Sequence, residues 1–253
     1  MSRWRRILRW ATLVGASMAL AVSAASGQTG WGGWGESERA YDGVFTFVRL
    51  RWDSRFGGRR GGGSAWNHDF PRAEQNLLQI LKDLTFIDAN TTGSLILRLD
   101  DPQLFKYPIV YMWEPGFWTM GDFEAQRFRE YLLKGGFAIF DDFELDQWNN
   151  FEAQMRRVLP ELRWVKLDQS HQIFDGFFRM KTIEFPHPMM GLRPSYYGLH
   201  LDNDPSKRLL VIANHNADVA EYWEFVGQGF FPVDSSNEAF KLGVNYMIYG
   251  LTH

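Results

Sequence analysis

The chain has 253 residues, of which 45% are hydrophobic and 16% aromatic, and its formal net charge is −3. This length and composition suit one sizeable hydrophobic core. The charge balance lacks the basic bias that nucleic-acid binding requires, so no nucleic-acid partner is expected. The chain contains no cysteine, which excludes disulfides, lipid attachment through cysteine and a cysteine nucleophile.

Residues 1–25 have the composition of a secretory signal peptide. Four arginines lie within the first nine residues. An apolar run follows at residues 11–22, and small residues come after it. This run is shorter than the roughly 20 residues that a membrane span needs. Cleavage near Ala24 or Ala25 would leave 23 basic and 30 acidic residues, a net charge of −7. We therefore expect a periplasmic or otherwise exported protein with no stable membrane span, the alternative being an uncleaved anchor.

The remaining chain is predicted to consist of a flexible lead-in at residues 26–40 and a single domain at residues 41–253. In this domain, apolar runs of strand length alternate with amphipathic segments of helix length. Strands are predicted at residues 44–52, 86–88, 95–97, 109–113, 137–141, 163–167 and 208–213. Helices are predicted to begin near Pro71 and to cover residues 121–134, 147–159, 217–225 and 236–251. Residues 168–205 fit neither pattern, which favours a β-rich insertion or a long covering loop.

One helix start rests on a specific pair of residues. Thr119 and Asp122 have the spacing of a capping box, which predicts that a helix opens near Gly121. Its end is predicted from Lys134, which complements the helix dipole, and from Gly135, which can adopt the left-handed conformation that ends many helices.

The alternation of strands and helices favours an α/β fold with a mostly parallel, doubly wound sheet and helices on both faces. The segments that follow the strands would then gather at the carboxyl edge of the sheet, where such folds bind ligands. They are residues 56–70, 114–119, 141–146 and 214–216.

The segment most clearly organised for function is a short apolar strand that is followed at once by Asp141, Asp142, Glu144 and Asp146. Clustered carboxylates can bind a divalent cation or act as a general base. The alternative is that one of them caps the next helix and that water solvates the rest. The spacing is not that of a calcium loop, and the six histidines show no metal-binding spacing, so no metal site or cofactor is predicted.

His68 and His215 fall on the same predicted edge and are, with Asp141 and Asp142, the candidate catalytic residues. The alternative for each histidine is a structural role. Tryptophans near strand ends could stack on a sugar or a partner, or could belong to the core.

A loop rich in glycine and arginine at residues 57–64 could hold an anion through its backbone N–H groups and two guanidinium groups. It lacks the pattern of a Walker A loop, and a mobile surface lid is the alternative. The predicted ligand-binding residues of the whole edge are Arg59, Arg60, Trp66, His68, Glu114, Trp118, Asp141, Asp142, Asn214 and His215.

Several segments, in order and spacing, resemble a known bacterial family. They are FVRL, WNHDFPRAEQNLL, LFKYPIVYMWE, FREYLLKGGFAIFDD and KLGVNYMIYGLT, and they are similar to the domain of unknown function 4159 across almost all of the predicted domain. This resemblance implies a flavodoxin-like fold similar to class I glutamine amidotransferase-like domains, including the ThuA-like group. Those amidotransferases use a cysteine that this chain lacks, and Asp141 and Asp142 stand where ThuA-like proteins often have a histidine.

The function that these features favour is an exported, non-catalytic domain that binds a small ligand, a glycan or a protein partner at the carboxyl edge of its sheet. One alternative is a hydrolase or sugar-modifying enzyme that uses Asp141 and Asp142, with or without a divalent metal. The other is a structural component of a cell-envelope assembly.

Overall fold

The computed structural model describes residues 43–54 and 65–253. The predicted signal peptide, the lead-in and the Gly/Arg loop with Arg59 and Arg60 lie outside these residues. The strands are β1 (Val48–Leu50), β2 (Asp53–Ser54), β3 (Leu95–Leu97), β4 (Ile109–Trp113), β5 (Trp118–Thr119), β6 (Phe137–Phe143), β7 (Val165–Leu167), β8 (Ser195–His200) and β9 (Leu209–His215). The α-helices are α1 (Arg72–Leu84), α2 (Asp122–Leu133), α3 (Gln147–Val158), α4 (Val219–Glu224) and α5 (Val233–Thr252).

Seven of these strands form one sheet in the order β3-β1-β4-β6-β9-β8-β7. The first five pair in parallel, whereas β8 is antiparallel to β9 and β7 is antiparallel to β8. Numbered as they appear in the chain, the five parallel strands have the order 2-1-3-4-5, which is the flavodoxin-like arrangement. The predicted α/β fold with a mostly parallel sheet is therefore confirmed.

Apolar side chains on the two faces of the sheet form two separate core layers. In β4, Ile109, Tyr111 and Trp113 belong to one layer, and Val110 and Met112 belong to the other. Helices α1, α4 and α5 cover the first layer, and helices α2 and α3 cover the second. Because both faces are covered, β4 and β6 are buried along their whole length.

Helix α2 begins at the predicted position but is capped by different residues. The helix starts at Asp122, and the Glu124 side chain accepts a hydrogen bond of 2.8 Å from the Gly121 N–H group. Thr119 instead lies in β5, and its hydroxyl donates a hydrogen bond of 3.0 Å to the Asp53 carbonyl oxygen. The capping box predicted from Thr119 and Asp122 was therefore wrong, because Thr119 pairs with Asp53 between β5 and β2.

Other segments also differ from their predictions, among them the first strand, which was predicted at residues 44–52 and covers Val48–Leu50. Residues 86–88 form no strand, and the Phe86 side chain is fully exposed, while the neighbouring Ala89 makes only an isolated bridge to Phe45. Strand β6 continues through Asp142 to Phe143, two residues beyond the predicted end. The irregular segment at residues 168–205 supplies β8 to the sheet. In the part of the chain that is described, no helix has the length and apolar character that crossing a membrane requires.

Candidate functional site

A small cleft lies at the carboxyl edge of the sheet, where β4 and β6 end. Its volume is about 150 Å³. Its walls come from the loop before α1, from the turns after β4 and β6, from the segment before β8, and from the start of α4. The lining residues are His68, Glu114, Phe117, Asp142, Glu144, Gln147, His187, Met189, Met190 and Asp218.

His68 lies at the centre of the charged groups in this cleft. Its Nδ1 atom lies 2.8 Å from Asp142 Oδ2 and 3.5 Å from Glu114 Oε1, and its Nε2 atom lies 3.5 Å from Asp69 Oδ1. The hydrogen bond to Asp142 and the charges of the neighbouring carboxylates raise the pKa of His68 to about 9, although partial burial opposes this shift. His68 therefore carries a positive charge at neutral pH, and this charge offsets part of the surrounding negative charge.

Asp69 is the most buried acid in direct reach of His68, with a side chain that has no exposed surface. Its Oδ2 atom accepts a hydrogen bond of 3.0 Å from Trp113 Nε1, whereas its Oδ1 atom is buried without a hydrogen-bond partner. Burial raises the pKa of Asp69 well above its usual range, and the charges of Asp142 and Glu221 act in the same direction. A buried polar atom without a partner is rare in folded proteins.

Asp218 and Glu221 add further acidic groups beside the cleft. Asp218 is buried and caps α4, since its side chain accepts a hydrogen bond of 3.0 Å from the Glu221 N–H group. Burial raises the pKa of both carboxyl groups, and the nearby Asp142 acts in the same direction on both. The cleft therefore concentrates more acidic groups than His68 can neutralise.

Three acids of the site have left-handed backbone conformations. The φ angles are +60° for Asp69, +47° for Glu114 and +58° for Asp142. For residues other than glycine this conformation costs roughly 1–2 kcal/mol and is concentrated at functional sites. At Asp142 it coincides with an irregular register between β6 and β9, which resembles a β-bulge and re-aims the side chain.

Arg49 fixes the loop that carries His68. Its guanidinium group is fully buried and makes two hydrogen bonds, of 3.0 and 2.8 Å, to Glu74 at the start of α1. It also donates to the carbonyl oxygens of Trp66 and His68, at 3.0 and 2.7 Å, and lies 3.4 Å from the centre of the Trp113 ring. This network joins β1, α1, β4 and the loop into one unit.

The structure places Asp141 and Asn214 beneath the cleft, where both are fully buried. Asp141 accepts hydrogen bonds from Tyr111 Oη at 2.7 Å and Asn214 Nδ2 at 3.0 Å, and from the N–H groups of Val219 and Ala220 at 2.9 and 3.1 Å. Burial raises the pKa of Asp141 to about 6, against the effect of its hydrogen bonds. Asp141 therefore ties β6 to β9 and to the start of α4.

The other predicted residues are dispersed. Trp118 is fully buried and stacks on Phe140, with 5.8 Å between the ring centres. His215 Nε2 lies 3.0 Å from the Leu145 carbonyl oxygen, and burial lowers the pKa of His215. Trp66 is half-buried in the loop before α1. Of the predicted binding residues that are described, the cleft lining contains His68, Glu114 and Asp142.

Sequence reasoning missed several acids and one histidine of this site. They are Asp69, Glu144, Asp218, Glu221 and His187. Glu144 belongs to the predicted acidic turn but is not among the predicted ligand-binding residues, and Asp69 lies just before the helix start predicted near Pro71. His187 lies in the irregular segment, and no periodic pattern there shows that the segment reaches the cleft.

The described groups that could hold a metal ion fall into three sets, each with ligand atoms within 4.8 Å of one another. All three lie at the cleft or directly beside it. The sets are His68, Glu114 and Asp142; His68, Asp69 and Glu221; and Asp142, Glu144 and His187.

Comparison with known proteins gives one family. The model of the family described as domain of unknown function (DUF4159) matches residues 46–251, a range that contains every residue of the cleft. A search among curated proteins gives no match. The order of segments noted in the sequence is thus explained by family membership: the chain belongs to the DUF4159 family.

Proposed function

We propose that this protein is an exported, non-catalytic binding domain whose cleft captures a small positively charged group. The observation that carries this proposal is the convergence of acids from distant parts of the chain on one histidine. Glu114, Asp142, Glu144 and Asp218 line the cleft, and neither lysine nor arginine is among its described lining residues.

The size of the cleft restricts its ligand. A volume of about 150 Å³ is below the roughly 300–1,000 Å³ of pockets that enclose whole drug-sized molecules. A metal ion, an amine or a guanidinium group would fit, either alone or as one end of a larger molecule. Glu114 and Asp142 are buried, so the attraction of their carboxylates for a cation is stronger than it would be in water.

Two further observations support the non-catalytic, exported character. No serine, threonine, cysteine or lysine is among the described lining residues of the cleft, so it offers no hydroxyl, thiol or amine nucleophile of these types. Residues 1–25 have the composition of a signal peptide, which supports export. Cell fractionation with N-terminal sequencing of the mature protein would test export.

We also infer a relationship to class I glutamine amidotransferase-like domains, and the flavodoxin-like strand order supports this relationship.

Calorimetric titration of the mature protein tests the binding function. The probes are methylammonium, methylguanidinium and divalent metal chlorides, with acetate as the anionic counterpart. We expect at least one cation to bind, acetate not to bind, and Asp142→Asn to weaken binding at least tenfold. Asp175→Asn, which changes an exposed acid elsewhere, is the matched control. If none of these cations binds, the proposal is rejected.

One observation favours a hydrolase as the second candidate function. His68 and Asp142 form a hydrogen-bonded pair of 2.8 Å, and one third of the His68 side chain is exposed to the cleft. Such a pair can act as a general acid and base. Hydrolysis of glycoside, ester or amide substrates that disappears in both His68→Gln and Asp142→Asn would favour this candidate over the binding function.

A further inference from the structure

We propose that His68, Glu114 and Asp142 bind a divalent first-row transition metal ion, and that Asp69 orients the histidine for it. This inference rests on the proposed function and specifies the cation that the cleft captures.

The three ligand atoms already have the spacing of a coordination shell. His68 Nδ1 lies 2.8 Å from Asp142 Oδ2 and 3.5 Å from Glu114 Oε1, and the set lies within 4.8 Å. Nitrogen and oxygen ligands about 2.1 Å from a metal ion are roughly 3.0–3.4 Å apart in tetrahedral or octahedral geometry. A metal ion can therefore replace the proton between His68 Nδ1 and Asp142 with small movements of the side chains, and this proton is released to the solvent.

Asp69 provides an observation that is independent of the acidic ligands. Its side chain has no exposed surface, Trp113 holds its Oδ2 atom, and its buried Oδ1 atom has no hydrogen-bond partner. That atom lies 3.5 Å from His68 Nε2. Metal-binding histidines almost always donate their second N–H group to a carboxylate or a carbonyl oxygen. If Nδ1 of His68 binds the metal, Nε2–H points to Asp69 Oδ1, which accepts no hydrogen bond from another N–H group.

The set that contains His187 is less suited to a metal ion. His187 Nδ1 accepts a hydrogen bond of 3.3 Å from the Met189 N–H group. Binding a metal ion through Nε2 of His187 would require the proton on Nδ1 and would therefore break this hydrogen bond. The remaining set consists of His68, Asp69 and Glu221, and it can be distinguished by mutation of Glu221.

The ligand types indicate the class of metal. One imidazole and two carboxylates suit Zn²⁺, Co²⁺, Mn²⁺ or Fe²⁺, whereas Mg²⁺ and Ca²⁺ prefer all-oxygen sites. Three protein ligands at the wall of an open cleft leave positions for water or for an external ligand.

The test uses chelator-treated mature protein, titrated with ZnCl₂ by calorimetry and with CoCl₂ by visible absorption. We expect one ion per chain, and we expect at least tenfold weaker binding in each of His68→Gln, Glu114→Gln and Asp142→Asn. His215→Gln, which changes a histidine at the same edge outside the three sets, should bind as the parent does. Circular dichroism shows whether each variant is folded.

Asp69→Asn tests the positioning role separately. Loss of an orienting carboxylate lowers metal affinity by roughly 10–100-fold. An asparagine that keeps the fold but no longer accepts a strong hydrogen bond from His68 should also alter the absorption of the Co²⁺ complex. A purely structural role would change the melting temperature and leave the affinity and spectrum of the folded fraction unchanged.

The outcomes separate this inference from the proposed function. Binding of methylammonium or methylguanidinium without binding of Zn²⁺ or Co²⁺ overturns the metal site and leaves the binding function intact. Binding of no cation rejects both. Metal binding that is lost in Glu221→Gln or His187→Gln but retained in Glu114→Gln overturns the assignment of ligands.

Discussion

Asp141 and Asp142 are adjacent in the chain, yet their side chains serve different parts of the molecule. Asp141 is fully buried and accepts four hydrogen bonds, whereas Asp142 faces the cleft and pairs with His68. In a regular strand, neighbouring side chains point to opposite faces. Here the left-handed conformation of Asp142 turns the second carboxylate to the edge of the sheet.

The first prediction separates these two roles. In Asp141→Asn, the new NH₂ group faces the hydrogen-bond donors that Asp141 accepts from, so some of these buried donors lose their acceptor. The free energy of unfolding should therefore fall by about 3 kcal/mol. Asp142→Asn should change it by less than about 1 kcal/mol, because asparagine tolerates the left-handed conformation. Urea denaturation measures both values. Equal losses in the two variants would contradict the division of roles.

The second prediction concerns the buried cap of α4. Asp218→Asn should raise the free energy of unfolding at neutral pH by about 1 kcal/mol, since asparagine caps a helix as well as aspartate and adds no buried charge. Asp218→Ala loses the cap and should be less stable than Asp218→Asn by about 1 kcal/mol. Thermal unfolding of the three proteins gives the order. A marked loss of stability in Asp218→Asn would show that the carboxyl group makes a contact an amide cannot replace.

The third prediction concerns Arg49. Arg49→Met leaves Glu74 buried without its partner and releases the carbonyl oxygen of His68, so it should cost about 3–5 kcal/mol. Arg129→Met, which breaks an exposed pair with Glu161, should cost less than about 1 kcal/mol. Chemical denaturation compares the two variants. Similar small losses would mean that the Arg49 network is not needed to hold the loop.

The fourth prediction is a pH dependence far from the cleft. His171 Nε2 lies 3.2 Å from His200 Nε2, and burial lowers the pKa of His171 to about 4 from 6.5. Burial also lowers the pKa of His200. In the unfolded chain both histidines take up protons near their usual pKa, whereas the folded protein resists protonation. The two histidines therefore reduce stability as the pH falls from about 6.5 to about 4, and the loss then levels off.

Thermal unfolding as a function of pH checks this dependence. His171→Gln should be less sensitive to pH over this interval than the parent protein, although carboxylates elsewhere will still contribute in both. The exposed His253 provides the control, and His253→Gln should follow the parent. A His171→Gln profile parallel to that of the parent would refute the role of the histidine pair.

The fold could be predicted largely from the sequence because its signals are local. Strand β4 was predicted with its observed ends, and α3 differed by one residue, since both are long apolar or periodic segments with clear breaks. The start of α2 was predicted correctly, but its capping box was wrong because Thr119 pairs with β2. No local pattern reveals a contact with residues that far away in the chain.

The cleft could be predicted only in part. Its general place followed from the rule for parallel sheets, and His68, Glu114 and Asp142 were among the predicted residues. The contact that unites two of them joins positions 74 residues apart, and the turn that aims Asp142 depends on a local irregularity of β6. Asp141 was given the same role as Asp142 because the sequence does not show which carboxylate the bulge turns outwards.

The antiparallel pair β7–β8 has a consequence for how this family could vary. It enters the chain between α3 and β9, so the five parallel strands and the three proposed metal ligands come from other parts of the chain. The segment between β7 and β8 supplies His187, Met189 and Met190 to the cleft wall. Related chains could therefore differ in this segment, and so in what reaches the cleft, while keeping the three proposed metal ligands.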